Sequence, residues 1–170
     1  MAVDTLERYD RCVTPETLSS GASGATPART MTLPFDQRQR ARQRGQLDDG
    51  AEIAVVLPRG TIMRGGDYLL GVEGGLVRVI AADEPVSFVA GAPDGLTRAA
   101  YHLGNRHVWV ELGDGRVCWL QDHVLDAMIE GFGLEVRHAR LPFEPEGGAY
   151  SHEHAGDSGE GHVHSHGGTQ

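Results

Sequence analysis

The residues best suited to chemistry in this chain are histidines, and five of the nine lie in the last nineteen positions: His152, His154, His162, His164 and His166. Imidazole is the commonest protein ligand for zinc, copper and nickel near neutral pH. An extended His-x-His step puts both rings on one side of the backbone, because side chains repeat with period two. The intervening Gly, Ser, Glu and Asp residues cannot build a core. The segment therefore reads as a flexible metal collector rather than a folded site. An expression tag is the bland alternative. It is disfavoured by Glu153, Asp157, Ser158 and Glu160, which interrupt the tract.

The other histidines are His102, His107, His123 and His138. His102 and His107 are five apart, roughly 140° around a helix, so they share no face. His102 falls inside a predicted helix but off its apolar stripe, which suits a hydrogen-bonded structural role. His107 falls past the helix end, exposed at the start of a strand. His123 sits in the first turn of a second helix, as a surface residue or as a ligand that the helix dipole helps keep neutral. His138 alternates along a strand and reads as structural. One histidine per chain cannot hold a metal tightly. Two chains meeting at a symmetric contact could each supply one, giving an exchangeable site suited to transfer. Catalytic metal sites use about three protein ligands. Neither HExxH, GxSxG, a phosphate-cradling GxxxxGK[ST] nor a Cys-rich zinc pattern occurs, so the chain does not read as an enzyme.

The elements that must position these histidines follow from periodicity. Residues 1–83 read as an all-β domain, with a possible strand within 3–13 and a flexible segment near 14–28. Met31, Leu33 and Phe35 alternate, Ile53 to Leu57 is a short apolar run, and Tyr68 to Val72 and Leu76 to Ile80 flank the hairpin turn Glu73-Gly74-Gly75. Arg38, Arg40, Arg42 and Arg44 recur with period two. In a strand they would form one basic face, suited to an acidic protein partner or to a solvated, aggregation-resistant edge. Residues 84–147 read as βαββαβ, a ferredoxin-like domain. Its elements are a strand at Val86 to Ala90, a helix capped by Asp94 with Leu96, Ala99, Ala100 and Leu103 as its stripe, strands at 108–112 and 116–120, a helix capped by Asp122, and a strand over 134–141. Residues 148–170 form the His-rich tail, predicted to be disordered. The fold class is therefore α+β.

With Lys+Arg 15 against Asp+Glu 24, the formal net charge is −9, and lysine is absent. Such a chain is a poor nucleic-acid binder and attracts cations. Two cysteines are too few for a disulfide scaffold, no run approaches the ~20 apolar residues of a membrane span, and no secretory h-region appears near the start. A cytoplasmic location is the expectation.

The heptapeptide Tyr101-His102-Leu103-Gly104-Asn105-Arg106-His107, followed by Asp122-His123-Val124-Leu125-Asp126-Ala127-Met128, resembles the urease accessory protein UreE family of nickel metallochaperones. Supporting segments are Gln37 to Arg44, Leu47-Asp48-Asp49-Gly50, Leu57-Pro58-Arg59-Gly60 and Leu141-Pro142-Phe143-Glu144-Pro145-Glu146. The resemblance spans roughly residues 30–150 and is joined by the tail. It implies a homodimer with an N-terminal peptide-binding β domain and a C-terminal metal domain. It implies delivery of nickel to urease apoprotein alongside an accessory GTPase. The family's nickel-binding histidine falls on His107, with the two copies facing each other across the dimer, and a secondary site falls on His123. Where some members carry a further histidine two residues before His123, this chain has Gln121.

Three functions compete: a nickel carrier, a passive buffer for nickel, zinc or copper, and a metal-regulated protein-interaction module. Imidazole sites favour copper over nickel in the test tube, so zinc or copper can compete and cellular selectivity must come from supply and partner.

Overall fold

The computed structural model describes residues 6–21 and 29–147, so the tail read at 148–170 lies outside the described residues. Two sheets organise the chain. The first contains β1 (Glu7–Val13), β2 (Arg29–Leu33), β3 (Arg42–Gln46), β4 (Glu52–Val56), β5 (Tyr68–Gly71) and β6 (Leu76–Ala81), in the order β2-β6-β5-β1-β4-β3. The β1–β4 and β2–β6 pairs are parallel and the others antiparallel. Alternating apolar residues supply one buried face: Met31 and Leu33 from β2, Ile53 and Val55 from β4, Val77 and Val79 from β6. The β5–β6 turn takes a positive φ at Gly74, which a side chain would oppose. Asp48 draws β2 towards the end of β3. Its N–H donates to Thr30 O at 2.9 Å and its carboxylate accepts from Thr32 N at 3.0 Å, which curls the sheet towards a barrel.

The second sheet holds β7 (Asp83–Ala90), β8 (Glu111–Gly113), β9 (Arg116–Leu120) and β10 (Arg137–Pro142), all antiparallel in the order β10-β7-β9-β8. Helices α3 (Pro93–Gly104) and α4 (His123–Glu130) cover one face. This is the expected βαββαβ arrangement. Period two sorts the central strands: Val89, Val117 and Trp119 face the helices, while Val86 and Cys118 face the first sheet. Both faces of β9 are thus buried, and burial pushes the Cys118 thiol up to about 11.

Several local expectations are corrected. Residues 15–21 of the segment expected to be flexible form a short helix, α1 (Pro15–Gly21). Asp94 is not the cap of α3; Ala92 occupies that position and Asp94 lies in the first turn, because Pro93 already begins the helix. Residues 108–110 do not join a strand; β8 begins at Glu111. The last strand begins at Arg137 rather than 134, since Leu134 and Val136 pack on the helical core before pairing starts.

The four arginines do not share a face. Arg38 ends the short helix α2 (Phe35–Arg38) and is fully buried, Arg40 pairs with Asp36 at 2.6 Å, and only Arg42 and Arg44 lie on β3. Pro34 opens a turn with hydrogen bonds from Gln37 and Arg38 N–H to its carbonyl, and this breaks the strand alternation. Arg38 then stands between the sheets. Its Nη1 donates to Glu144 Oε1 at 2.8 Å and to Met63 O at 3.3 Å, and its Nη2 donates to Phe143 O. Around it Phe35, Val86, Cys118 and Phe143 form an apolar junction, with Phe35 edge-on to Phe143 at 5.5 Å.

Burial fixes which positions tolerate change. Leu103→Ala empties a fully buried site and is expected to cost about 2–5 kcal/mol, whereas Val124→Ala, at a position 63% exposed, should stay within about 0.5 kcal/mol. Urea denaturation of the two variants measures the contrast.

Candidate metal site

The end of α3 places His107. Val108 N–H reaches back to Leu103 O and His107 N–H to Gly104 O, the paired bonds of a Schellman motif, and Val108 packs in the same core as Leu103. The motif requires a left-handed residue at its penultimate position, usually glycine. Here that residue is His107, with φ 57°. A non-glycine residue at such a φ is uncommon, with His among the types that adopt it more often, and Asp114 in the β8–β9 turn shares it at φ 51°. The imidazole is exposed.

The start of α4 places His123. Asp122 caps the helix as expected, accepting from Val124 N–H at 2.8 Å and Leu125 N–H at 3.1 Å. These bonds, the Leu125 one foremost, hold the Asp122 carboxyl below its usual range. His123 follows as the first helical residue, exposed.

Strand register puts these two helix ends at one end of the sheet. Val86 at the start of β7 pairs with Leu120 at the end of β9, so the C-terminus of α3 and the N-terminus of α4 lie at the same end of the sheet. Pro142 pairs with Asp83, which puts the end of β10 there too. Tyr101 and Val124, 64% and 63% exposed, stand in the adjoining helical turns, and Trp109 is partly exposed beside His107. This end therefore presents two imidazoles among uncovered apolar groups.

The other two histidines are engaged. His102 packs on Phe132 with ring centroids 4.5 Å apart, an aromatic contact rather than the expected hydrogen bond. His138 Nε2 lies 2.9 Å from Asp126 Oδ2, while Trp119 Nε1–H donates to Asp126 Oδ1 at 3.0 Å. The buried Asp126 thus ties α4 to β9 and β10. Sequence reading missed it because Asp126 falls where helical periodicity alone predicts an ordinary polar residue. Among the described residues no three His, Cys, Asp or Glu side chains gather into a metal-holding group. The five tail histidines lie outside the described residues.

Two family profiles cover nearly the whole of the described chain. Residues 13–82 match the N-terminal domain of the UreE urease accessory protein, and residues 84–168 match its C-terminal domain. The chain belongs to the UreE family. Similar relatives named urease accessory protein UreE come from Alkalilimnicola ehrlichii, 53% identical over 79% of this chain and 83% of the relative, and from Burkholderia ambifaria, 44% identical over 96% and 77%. Another, from Escherichia coli O157:H7, is 47% identical over 82% of this chain and 94% of the relative. As a UreE family member the chain is an accessory protein in urease maturation and not a catalyst. No helix among the described residues is long and apolar enough to cross a membrane.

Two outcomes test this local geometry. His107→Gly relieves the left-handed strain but loosens the unfolded chain, for a net gain of about 0.5–1 kcal/mol in chemical denaturation. A loss of stability would contradict the Schellman assignment. The Asp122 carboxyl is more acidic folded than unfolded, so its contribution is full above the unfolded range, near ~4, and is lost as pH falls through the lower folded value. The melting temperature of Asp122→Ala should therefore lie below the parent at pH 6 and converge on it towards pH 3.

Proposed function

We propose that this UreE family member is a nickel metallochaperone that delivers nickel to urease apoprotein, with His107 as the principal ligand. The observation that supports this reading is His107 itself: an exposed imidazole in a left-handed conformation at the helix end, where this motif usually carries glycine. A single imidazole is a weak site. The exposed Tyr101, Trp109 and Val124 at the same end favour a two-fold homodimer contact, in which each protomer offers one His107 to a shared ion. Such a site gives up its ion readily, as transfer requires. His123 is proposed as a secondary ligand, and His152, His154, His162, His164 and His166 as a collecting tail. Nickel is cargo here; zinc and copper compete for the same imidazoles.

The proposed division of labour follows the two profiles. Residues 84–147 hold the metal and 148–170 collect it. Residues 1–83, which hold no histidine, meet partners: urease apoprotein and the accessory GTPase. Arg42 and Arg44 support the last assignment. They are exposed on β3, the terminal strand of its sheet. The β3–β4 register, with Leu57 N–H bonded to Ala41 O and Leu47 N–H to Ala51 O, turns the backbone groups of residues 42, 44 and 46 away from β4. This edge offers open backbone bonds beside two guanidinium groups, which suits an acidic extended segment. Arg40 stands nearby, already paired with Asp36, and the buried Arg38 is excluded from such a surface.

In a chain ending at Tyr150, which silences the tail, His107→Ala should remove the tight nickel event in isothermal titration, expected at one ion per dimer. Titration curves identical to the parent's would refute the assignment. Metal binding requires neutral imidazole, which ordinarily titrates near ~6.5, so nickel occupancy should fall steeply from about pH 7 to pH 5. Occupancy unchanged at pH 5 in equilibrium dialysis would exclude histidine as the main ligand class.

A further inference from the structure

The last turn of α3 answers its own carbonyls. Asn105 N–H reaches Tyr101 O at 3.0 Å, Arg106 N–H and Val108 N–H reach Leu103 O at 3.0 and 3.3 Å, and His107 N–H reaches Gly104 O at 2.9 Å. These donors pass over His102 O. That carbonyl accepts from Arg106 Nη1 at 3.1 Å, so the guanidinium is folded back onto the helix end. Arg106 is exposed, and among the described residues no carboxylate forms an ion pair with it. The next residue along the chain is His107, whose imidazole is exposed at the same end.

A helix C-terminus carries partial negative charge and favours a cation. Here a permanently charged guanidinium already holds that place. Adjacent Cα atoms are about 3.8 Å apart and the tether keeps Arg106 on the same turn, so its charge and an ion on His107 stand on the order of 10 Å apart. That is about one Debye length at roughly 0.1 M salt, a range over which exposed charges still interact. A two-fold contact that brings two His107 rings to one ion brings two Arg106 side chains with them.

We infer that Arg106 sets how readily the ion leaves: its unpaired guanidinium, held at the end of α3 next to His107, repels a divalent cation on that imidazole, lowers its affinity and speeds its release. This rests on the reading of His107 as the nickel ligand. Arg106 is no ligand itself and acts only through its field. The net charge of −9 draws cations towards the chain from a distance, while this one local charge opposes holding them tightly.

The test uses the full-length chain with His152, His154, His162, His164 and His166 each replaced by Ala, so that the tail takes up no nickel. In that background Arg106→Gln removes the charge and keeps an amide donor for His102 O. Arg106→Lys keeps the charge, and Arg106→Glu reverses it. Nickel affinity is measured by isothermal titration, and release by stopped-flow transfer to excess chelator. Coulomb repulsion at this separation predicts that Arg106→Gln tightens nickel about two- to tenfold at ~0.01 M salt and slows release by a similar factor. Arg106→Glu should tighten it further, and Arg106→Lys should match the parent. The differences should close towards ~1 M salt, where the Debye length is only ~3 Å. A residue that merely capped the helix would act with the opposite sign, because losing it frays the turn that presents His107. Unchanged or weaker nickel binding in Arg106→Gln would therefore overturn the inference, and so would tightening that persists undiminished at high salt. His107→Ala in the same background separates the two readings. If the tight event survives there, the ligand assignment fails and the inference falls with it; if it vanishes there yet ignores Arg106→Gln, the inference alone is lost.

Discussion

The architecture turns on one buried cation. Arg38 is fully buried between the two sheets, and removing a guanidinium from water costs several kcal/mol unless its donors and charge are answered. The answer comes from residues more than a hundred positions later, the Glu144 carboxylate and the Phe143 carbonyl, with Met63 O from the segment between β4 and β5. Arg38 Nε finds no hydrogen-bond partner among the described residues. Its compensation is therefore incomplete, and breaking the remaining contacts would leave a buried charge almost unanswered. The strap of residues 143–146 that answers Arg38 also bonds to the second domain, through Glu144 N–H to Glu111 and Glu146 N–H to Val110 O.

The candidate site is built from helix ends rather than from a cluster of ligands. Antiparallel pairing of β7 with β9 sends one helix towards the end of the sheet from which the other departs. His107 terminates the first and His123 begins the second. Both imidazoles are exposed, and the carboxylates near His123 are engaged elsewhere: Asp122 caps α4, and Asp126 is taken by Trp119 and His138. The chain belongs to the UreE family, which serves urease maturation.

Charge is distributed to match. The chain is acidic overall, which favours cations, yet its exposed arginines on β3 form a local basic edge. Burial, with Asp67 beside it, drives the Cys12 thiol up to about 12, and burial does the same to Cys118, so neither offers a thiolate near neutral pH.

Patterns of short range were legible in the sequence. Alternation in Met31 and Leu33, the apolar run from Ile53 to Leu57 and the hairpin signal Glu73-Gly74-Gly75 marked the first sheet, and the Leu96, Ala99, Ala100, Leu103 stripe marked α3. Asp122 announced its helix because capping is a local bond between a side chain and the next two or three amides. The GNRH sequence marked His107 as special, although the left-handed turn that makes it so was not apparent. Tertiary structure decided the rest. The arginine alternation read as a strand face, but Pro34 folds its beginning into a turn, and a partner 106 residues away draws Arg38 inside. Residues 108–110 alternate like a strand, yet they pair with none, since Val108 closes the Schellman motif and Val110 O receives the strap. Periodicity reports which way a side chain faces only when the neighbouring element is already known; a buried ion pair between distant segments leaves no periodic trace.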